Sequence, residues 1–372
     1  MYQNERNETY MTKTVESPLM KKRDSWYDNA KAFLIICVVI GHLANGTFST
    51  ATDWVRALQR FIYVFHMPAF MIISGRFAKK RVDRGDWATV ISKMIVPYLI
   101  FQTAFLVLYS ALNATPSKFN YFNPLFGLWY FLNVAIYTIF TTYLKKFKWL
   151  FPVSLVAAVL IGFGASTLFG GFHRIVAFYP FFLFGYYTAG MKLDFCKKIP
   201  FRIACYVAFF GLGIYILRHT FEHSWGLLCM NQNYAEIMRD MAKRGSDWAL
   251  METVAHCILR YIVGFASFFM IMGMMPTKKW FFSYIGKYSV YVYVLHSMLI
   301  IILRELDADF DLLRVLSNHF LLMIYCFSGI PISFILASKP VRKLTSFFVE
   351  PNFDIKRVIK RLAGTDRNQE VK

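Results

Sequence analysis

The chain has 372 residues, 57% of them apolar and only 17% charged, with a formal charge of +20. An ordinary soluble domain carries about a quarter charged residues, so this composition excludes one. The basic residues lie between apolar runs and not on one face or in one arm, which excludes a nucleic-acid-binding protein.

In chain order, the first element is a polar tail, residues 1–24, expected to be disordered in its first part and cytoplasmic. The first apolar run follows. It lacks a small-residue cleavage site after a short apolar stretch, so it reads as an uncleaved first span and not a signal peptide. A hydrocarbon core of about 30 Å needs about 20 apolar residues per helix. Stretches free of Asp, Glu, Lys and Arg run from Lys31 to Asp53, Arg60 to Arg76, Lys93 to Lys118, Lys118 to Lys145 and Lys148 to Arg174. Five more run from Arg174 to Lys192, Arg202 to Arg218, Arg260 to Lys278, Lys287 to Arg304 and Arg314 to Lys339. With the loops assigned alternately and the N-terminus inside, 31 of the 42 Lys and Arg residues fall on the cytoplasmic side and 11 outside, as the positive-inside rule requires. The pattern predicts an all-α polytopic integral membrane protein with about ten transmembrane helices and both termini cytoplasmic. One membrane domain fills 25–338. A basic tail, 339–372, follows, with an amphipathic segment expected around Lys356 to Leu362 on the anionic inner leaflet. The longest outside loop, Arg218 to about His256, carries carboxylates with Trp225 and Trp248 and is a candidate glycan-facing surface or a merely solvated loop.

Ionisable groups inside a span are costly unless paired or hydrated, so each is a functional candidate. In the first span Lys31 and His42 are eleven positions apart, three helical turns, and share a face about 16 Å apart. Lys31 then sits at the inner boundary, where Asp28 can fix it and its ammonium can reach phosphate. His42 lies in the other half, and Gly41 allows close approach. A lone histidine on an apolar face is more often a packing residue, but here a cation shares the face and the next span carries His66. Pro68 follows, removing a backbone donor and freeing the carbonyl of Val64; such a site either lines a cavity or is a purely structural kink. Two imidazoles in one cavity could act as base and orienting partner. Ser74-Gly75 then leads into Arg76, Lys79, Lys80, Arg81 and Arg84. Arginine forks suit phosphate oxygens, although such a loop also serves as a topology determinant. His296, in the ninth span, reads by itself as a hydrogen-bonded structural histidine. The six cysteines show no C-x-x-C spacing, so zinc and redox readings are weak and no metal is expected. A Cys229–Cys257 pair is the one disulfide to consider.

Taken together, these segments resemble the acyltransferase-3 family of bacterial membrane O-acyltransferases, in its fucose 4-O-acetylase-like branch without a fused extracellular domain. The resemblance rests on Lys31 with His42, His66-Met67-Pro68 with Ser74-Gly75, Arg81 with Arg84, Lys93 before Pro97-Tyr98, and Leu128-Trp129-Tyr130-Phe131. Phe181 to Tyr186, Gly286-Lys287 with Ser289, and Tyr293 with His296 complete it. Lys31 departs from the arginine common there. The resemblance implies transfer of an acyl group, usually acetyl, from cytoplasmic acyl-CoA to a hydroxyl of a cell-surface polysaccharide or lipid-linked glycan at the bacterial plasma membrane. No cofactor is bound, since acetyl-CoA is a substrate. The implied roles are catalysis by His42 and His66, and donor binding by Lys31, Arg76, Arg81 and Arg84. Asp28, Ser74, Trp129 and His296 have supporting roles. His42 would act as general base or transient acyl carrier. The rival readings are an exporter of a glycan or small metabolite, which has no need of a diphosphate site joined to a distant histidine, and a scaffold subunit of a glycan-assembly complex.

Overall fold

The computed structural model describes residues 23–46, 53–112, 120–163, 172–219, 234–243, 245–310 and 318–351. Among these the secondary structure is helical, with no strand. The α-helices are α1 (Ser25–Gly46), α2 (Asp53–Arg84), α3 (Trp87–Val90), α4 (Val96–Ala111), α5 (Trp129–Leu144), α6 (Leu150–Leu160), α7 (Phe172–Tyr187) and α8 (Ile199–Arg218). They continue as α9 (Tyr234–Lys243), α10 (Ala249–Met274), α11 (Ser283–Lys287), α12 (Ser289–Phe310), α13 (His319–Phe327), α14 (Gly329–Leu336) and α15 (Lys339–Val349).

Among the described residues, six segments are long and apolar enough to cross a membrane: Ser25–Asn45, Asp53–Arg84, Trp87–Ala111, Ile199–Arg218, Ala249–Met274 and His319–Leu336. Each of the ten charge-free runs holds a helix, but α5, α6 and α7 are shorter, and the apolar part of α12 ends at Arg304. The run from Lys118 to Lys145 shows why. Only Trp129–Leu144 is helical, 16 residues or about 24 Å, because residues 120–128 follow an irregular path. Charge-free length therefore overstates helix length. Cys229, the amphipathic segment near Lys356 and residues 220–233 and 244 of the Arg218–His256 loop, Trp225 among them, lie outside the described residues. Within the basic tail, the described amphipathic helix comes earlier, at α15, where Leu344 and Phe347 are exposed.

Local sequence accounts for the joints. Asp24 accepts the Trp26 N–H at the start of α1, and Asp28 follows in the first turn. Trp26 Nε1 donates to the Met272 carbonyl, and the buried Asn29 donates to the carbonyls of Pro276 and Lys278. This base of α1 is thereby tied to the last turn of α10 and the segment after it. Gly85 closes α2 with φ +62°, and the Asp86 N–H bonds Arg81 O while the Gly85 N–H bonds Val82 O. That is a Schellman arrangement, which a left-handed glycine completes without strain. Asp86 then caps α3 through Thr89.

Between α3 and α4 the helix widens into a π turn, Ile91–Ile95, whose Val96 N–H reaches back to Ile91 O. Pro97 comes next. A proline ring clashes with the carbonyl four residues back, here that of Lys93, and the wider turn relieves the clash.

α2 and α7 cross in backbone contact. A Cβ on Gly75 would strike the Phe182 carbonyl, and one on Gly185 would strike that of Ile72. Gly75→Ala is expected to cost about 1–3 kcal/mol by forcing the helices apart, read as a lowered thermal midpoint in detergent. An unchanged midpoint would show that the crossing does not depend on this glycine. α8 lies at the periphery, with Ile199, Val207 and Phe210 exposed, as expected for a lipid-facing helix.

Candidate active site

α1 carries both ends of the site. Near its start, Lys31 Nζ is 2.8 Å from Asp28 Oδ1, and the same carboxylate accepts from Arg23 at 2.5 and 2.9 Å. Asp28 is buried. A buried carboxylate held by two cations is fully paired, and it keeps the Lys31 ammonium at the helix base.

Lys31 opens onto a cavity of about 330 Å³ between α1, α2, the π turn, α5, α11 and α12. Three further cations line it: Arg81 from α2, Lys93 from the π turn and Lys287 at the end of α11. Glu350, just past α15, is the acidic lining residue, and it accepts from Tyr291 Oη at 2.8 Å. Ile35 and Val38 continue the wall along α1, and Tyr130 and Tyr293 close it. Ser74 Oγ and Tyr130 Oη are 2.5 Å apart in that wall. The cavity is cationic at its Lys31 end and apolar or hydroxyl-lined further in. That suits a phosphorylated ligand with an uncharged arm.

His42 stands one turn beyond Val38. Its partner is a residue 254 positions away: His42 Nδ1 and His296 Nε2 are 3.0 Å apart, with the rings nearly parallel. His296 Nδ1 lies 2.8 Å from the Val292 carbonyl, which can only accept. Nδ1 of His296 therefore carries the proton, and its Nε2 is the acceptor. His42 Nδ1 must then be the donor, leaving the His42 Nε2 lone pair without a partner among the described residues. A backbone carbonyl thus sets the tautomer of one imidazole, which sets that of the other.

His66 is not part of this pair. Its Nδ1 donates to Ile62 O at 2.7 Å, and its ring meets Tyr63 edge-on at 4.9 Å. Tyr63 in turn lies 6.2 Å from the His42 ring. Gly41 makes room for Tyr63 here, since a Cβ would come within 3.1 Å of its ring.

Arg76 and Arg84 do not line the cavity. Arg84 is exposed. Arg76 donates to the carbonyls of Thr188, Ala189 and Met191, satisfying backbone beyond the end of α7. Nearby, in the turn between α7 and α8, the Lys197 ammonium 2.8 Å away holds the Asp194 carboxyl below its ordinary value. Trp129 starts α5, packs on Phe178 at 5.1 Å and lies under the Arg174 guanidinium. Among the described residues no three His, Cys, Asp or Glu side chains gather as metal ligands.

Sequence reasoning singled out neither Lys93 nor Lys287 as ligand-binding. The signal was available: each is a lone cation at the edge of an apolar run. The path of residues 120–128 was not legible. Its irregular backbone is pinned by the buried Gln102, whose Oε1 accepts the Leu125 N–H and whose Nε2 donates to the carbonyls of Asn120 and Asn123. Tyr293 Oη donates to Gly127 O. Irregular backbone at this depth is tolerated when protein groups satisfy it.

A family model described as the acyltransferase domain matches residues 24–338. Nodulation protein NolL of Mesorhizobium japonicum is 25% identical over 217 residues, covering 51% of this chain and 57% of that relative. Nodulation protein NolL of Sinorhizobium fredii is 27% identical over 183 residues, covering 45% and 49%. The matched stretches thus span about half the length of these curated relatives. No solved structure matches.

Proposed function

We propose, from the premise that the chain belongs to the acyltransferase-3 family, that it is a ten-span bacterial plasma-membrane O-acyltransferase with both termini cytoplasmic. It takes an acyl group, acetyl by family resemblance, from cytoplasmic acyl-CoA. It delivers that group to a hydroxyl of a cell-surface polysaccharide or lipid-linked glycan. One observation carries this reading: a single helix joins a cavity with four cationic side chains to an imidazole with an uncommitted lone pair.

The donor phosphates lie at Lys31, Arg81, Lys93 and Lys287, where charge-assisted hydrogen bonds to oxyanions are strongest. The pantetheine arm and thioester extend past Ile35 and Val38 towards His42. His42 Nε2 takes the proton of the sugar hydroxyl as the oxygen attacks the thioester carbonyl. The C–S bond breaks, CoA leaves as its thiolate, and the proton held by His42 returns to it. As His42 gains the proton, its Nδ1–H bond to His296 strengthens, so His296 acts as the positioning residue. Ser74 and Tyr130 offer hydroxyl donors in the wall between the two ends.

The test is transfer of radiolabelled acetyl from acetyl-CoA to glycan by the purified protein in proteoliposomes containing a lipid-linked glycan extract. Label on glycan hydroxyls, released by mild alkali, is the expected result. Glycan movement across the bilayer without label would instead favour an exporter.

A further inference from the structure

The His42 end of the site holds charge that the reaction described above does not use. The Arg304 guanidinium, from α12, lies over the Phe126 ring at 5.2 Å. The same ring meets His42 edge-on, centroids 5.0 Å apart. Arg174, from α7, lies over Trp129 at 5.3 Å. Phe126 and Trp129 are three residues apart, so two guanidiniums from different helices converge on one short segment beside His42. Both act electrostatically on its imidazole. Arg304 Nε is buried and has no hydrogen-bond partner among the described residues. Nor does Arg304 form an ion pair among the described side chains. Phe126 itself holds φ +50°, a non-glycine residue in the left-handed region. Such strain persists where the surroundings over-determine it, and here Gln102 and Tyr293 do so from either side of Phe126.

We propose that Arg174 and Arg304 form an acceptor-side anion site and that the natural acceptor is an anionic glycan, bearing a phosphate or carboxylate near the hydroxyl that is acylated. The proposal rests on the acyl-transfer reading. Two arguments support it. Guanidinium forks match the oxygens of phosphate and carboxylate, and charged side chains at membrane depth mark ligand paths. In addition, proton abstraction by His42 places a third positive charge beside two guanidiniums in a site of low dielectric, where such repulsion is large. An acceptor that brings a negative charge offsets it, so the correct substrate completes the electrostatics of the base. A neutral sugar leaves that repulsion uncompensated.

Membranes containing the full chain are incubated with radiolabelled acetyl-CoA, and the labelled glycans are separated by anion exchange. Label retained on the exchanger and displaced by salt is the expected result. Arg304→Gln and Arg174→Gln should each raise the acceptor KM about tenfold or more, with CoA affinity unchanged and partial recovery in Arg304→Lys. Unchanged CoA affinity shows that the variants fold. Label only in the unretained neutral fraction overturns the proposal, as does a wild-type acceptor KM in Arg304→Gln. No label at all removes the acyl-transfer reading and this proposal with it, a result distinct from label on neutral glycan. A lipid headgroup is the other source of phosphate. An acceptor KM equal in phosphatidylcholine vesicles with and without phosphatidylglycerol assigns the site to the glycan. A KM raised by phosphatidylglycerol in the wild type but not in Arg304→Gln assigns it to lipid and overturns the proposal.

Discussion

His42→Ala is expected to lower acyl transfer by about 10²–10⁴-fold, the usual contribution of a positioned general base, while the protein still inserts and binds CoA. The expectation follows from the tautomers. His42 Nδ1 is committed as the donor to His296, which leaves the Nε2 lone pair of His42 to accept a proton. Alanine removes that acceptor and leaves the cavity wall formed by Ile35 and Val38 intact. His296→Ala should cost less, because it frees His42 to rotate or change tautomer without removing the base. Measured with saturating acetyl-CoA, the loss in His42→Ala should appear in kcat and kcat/KM together, the signature of an interaction made in the transition state. Transfer at wild-type rate by His42→Ala would remove the mechanism. Equal losses in the two variants would mean that the pair acts as one unit.

Arg81→Gln with Lys93→Gln should weaken CoA binding by about 10- to 100-fold for each charge removed, since a hydrogen bond to a charged group contributes about 1.5–3 kcal/mol. The two come from different elements, the end of α2 and the π turn, so a double-variant cycle reports whether they share one phosphate group. Titration of CoA onto protein in nanodiscs reads it directly. Dephospho-CoA identifies which of the two meets the ribose phosphate, by losing the effect of that substitution alone. Equal CoA affinity in wild type and double variant would reassign both cations to setting membrane orientation. Lys31 is a poorer choice for this test, because Asp28 is left buried and short of one partner when it is removed.

Much of this architecture was written in the charge pattern. Runs without Asp, Glu, Lys or Arg located the helices, and the eleven-residue interval from Lys31 to His42 placed both on one face of α1. What periodicity could not supply was partnership between distant segments. His66 looked like the companion of His42 because it is near in sequence and set at a comparable depth. The imidazole in hydrogen-bond contact is His296, brought there by α12 packing beside α1. Arg76 was indistinguishable from Arg81 as a member of a basic cluster. Five residues of helix separate them, about one and a half turns, so they point to different sides. One meets the cavity and the other the end of α7. Residues 120–128 were hidden for another reason. They carry no charge and so counted towards an apolar run, although Asn120, Asn123-Pro124 and Gly127 break a helix; the buried amide of Gln102 holds the irregular chain.

The π turn before Pro97 has a consequence for how this segment can vary in length. A turn that spans five residues where an α-helix spans four holds one residue more than the regular helix needs. Each residue advances an α-helix by about 100°. Deleting one position between Ile91 and Ile95 would restore regular winding, yet swing everything on one side of the cut by that angle relative to the other. Either Lys93 would leave the cavity, or Tyr98 and Gln102 would turn away from the segment they hold over His42. Single-residue deletions here should therefore be selected against as firmly as changes to the charged residues themselves, although most side chains of the turn are apolar. The extra residue sets the angular phase between the two ends of the reaction path.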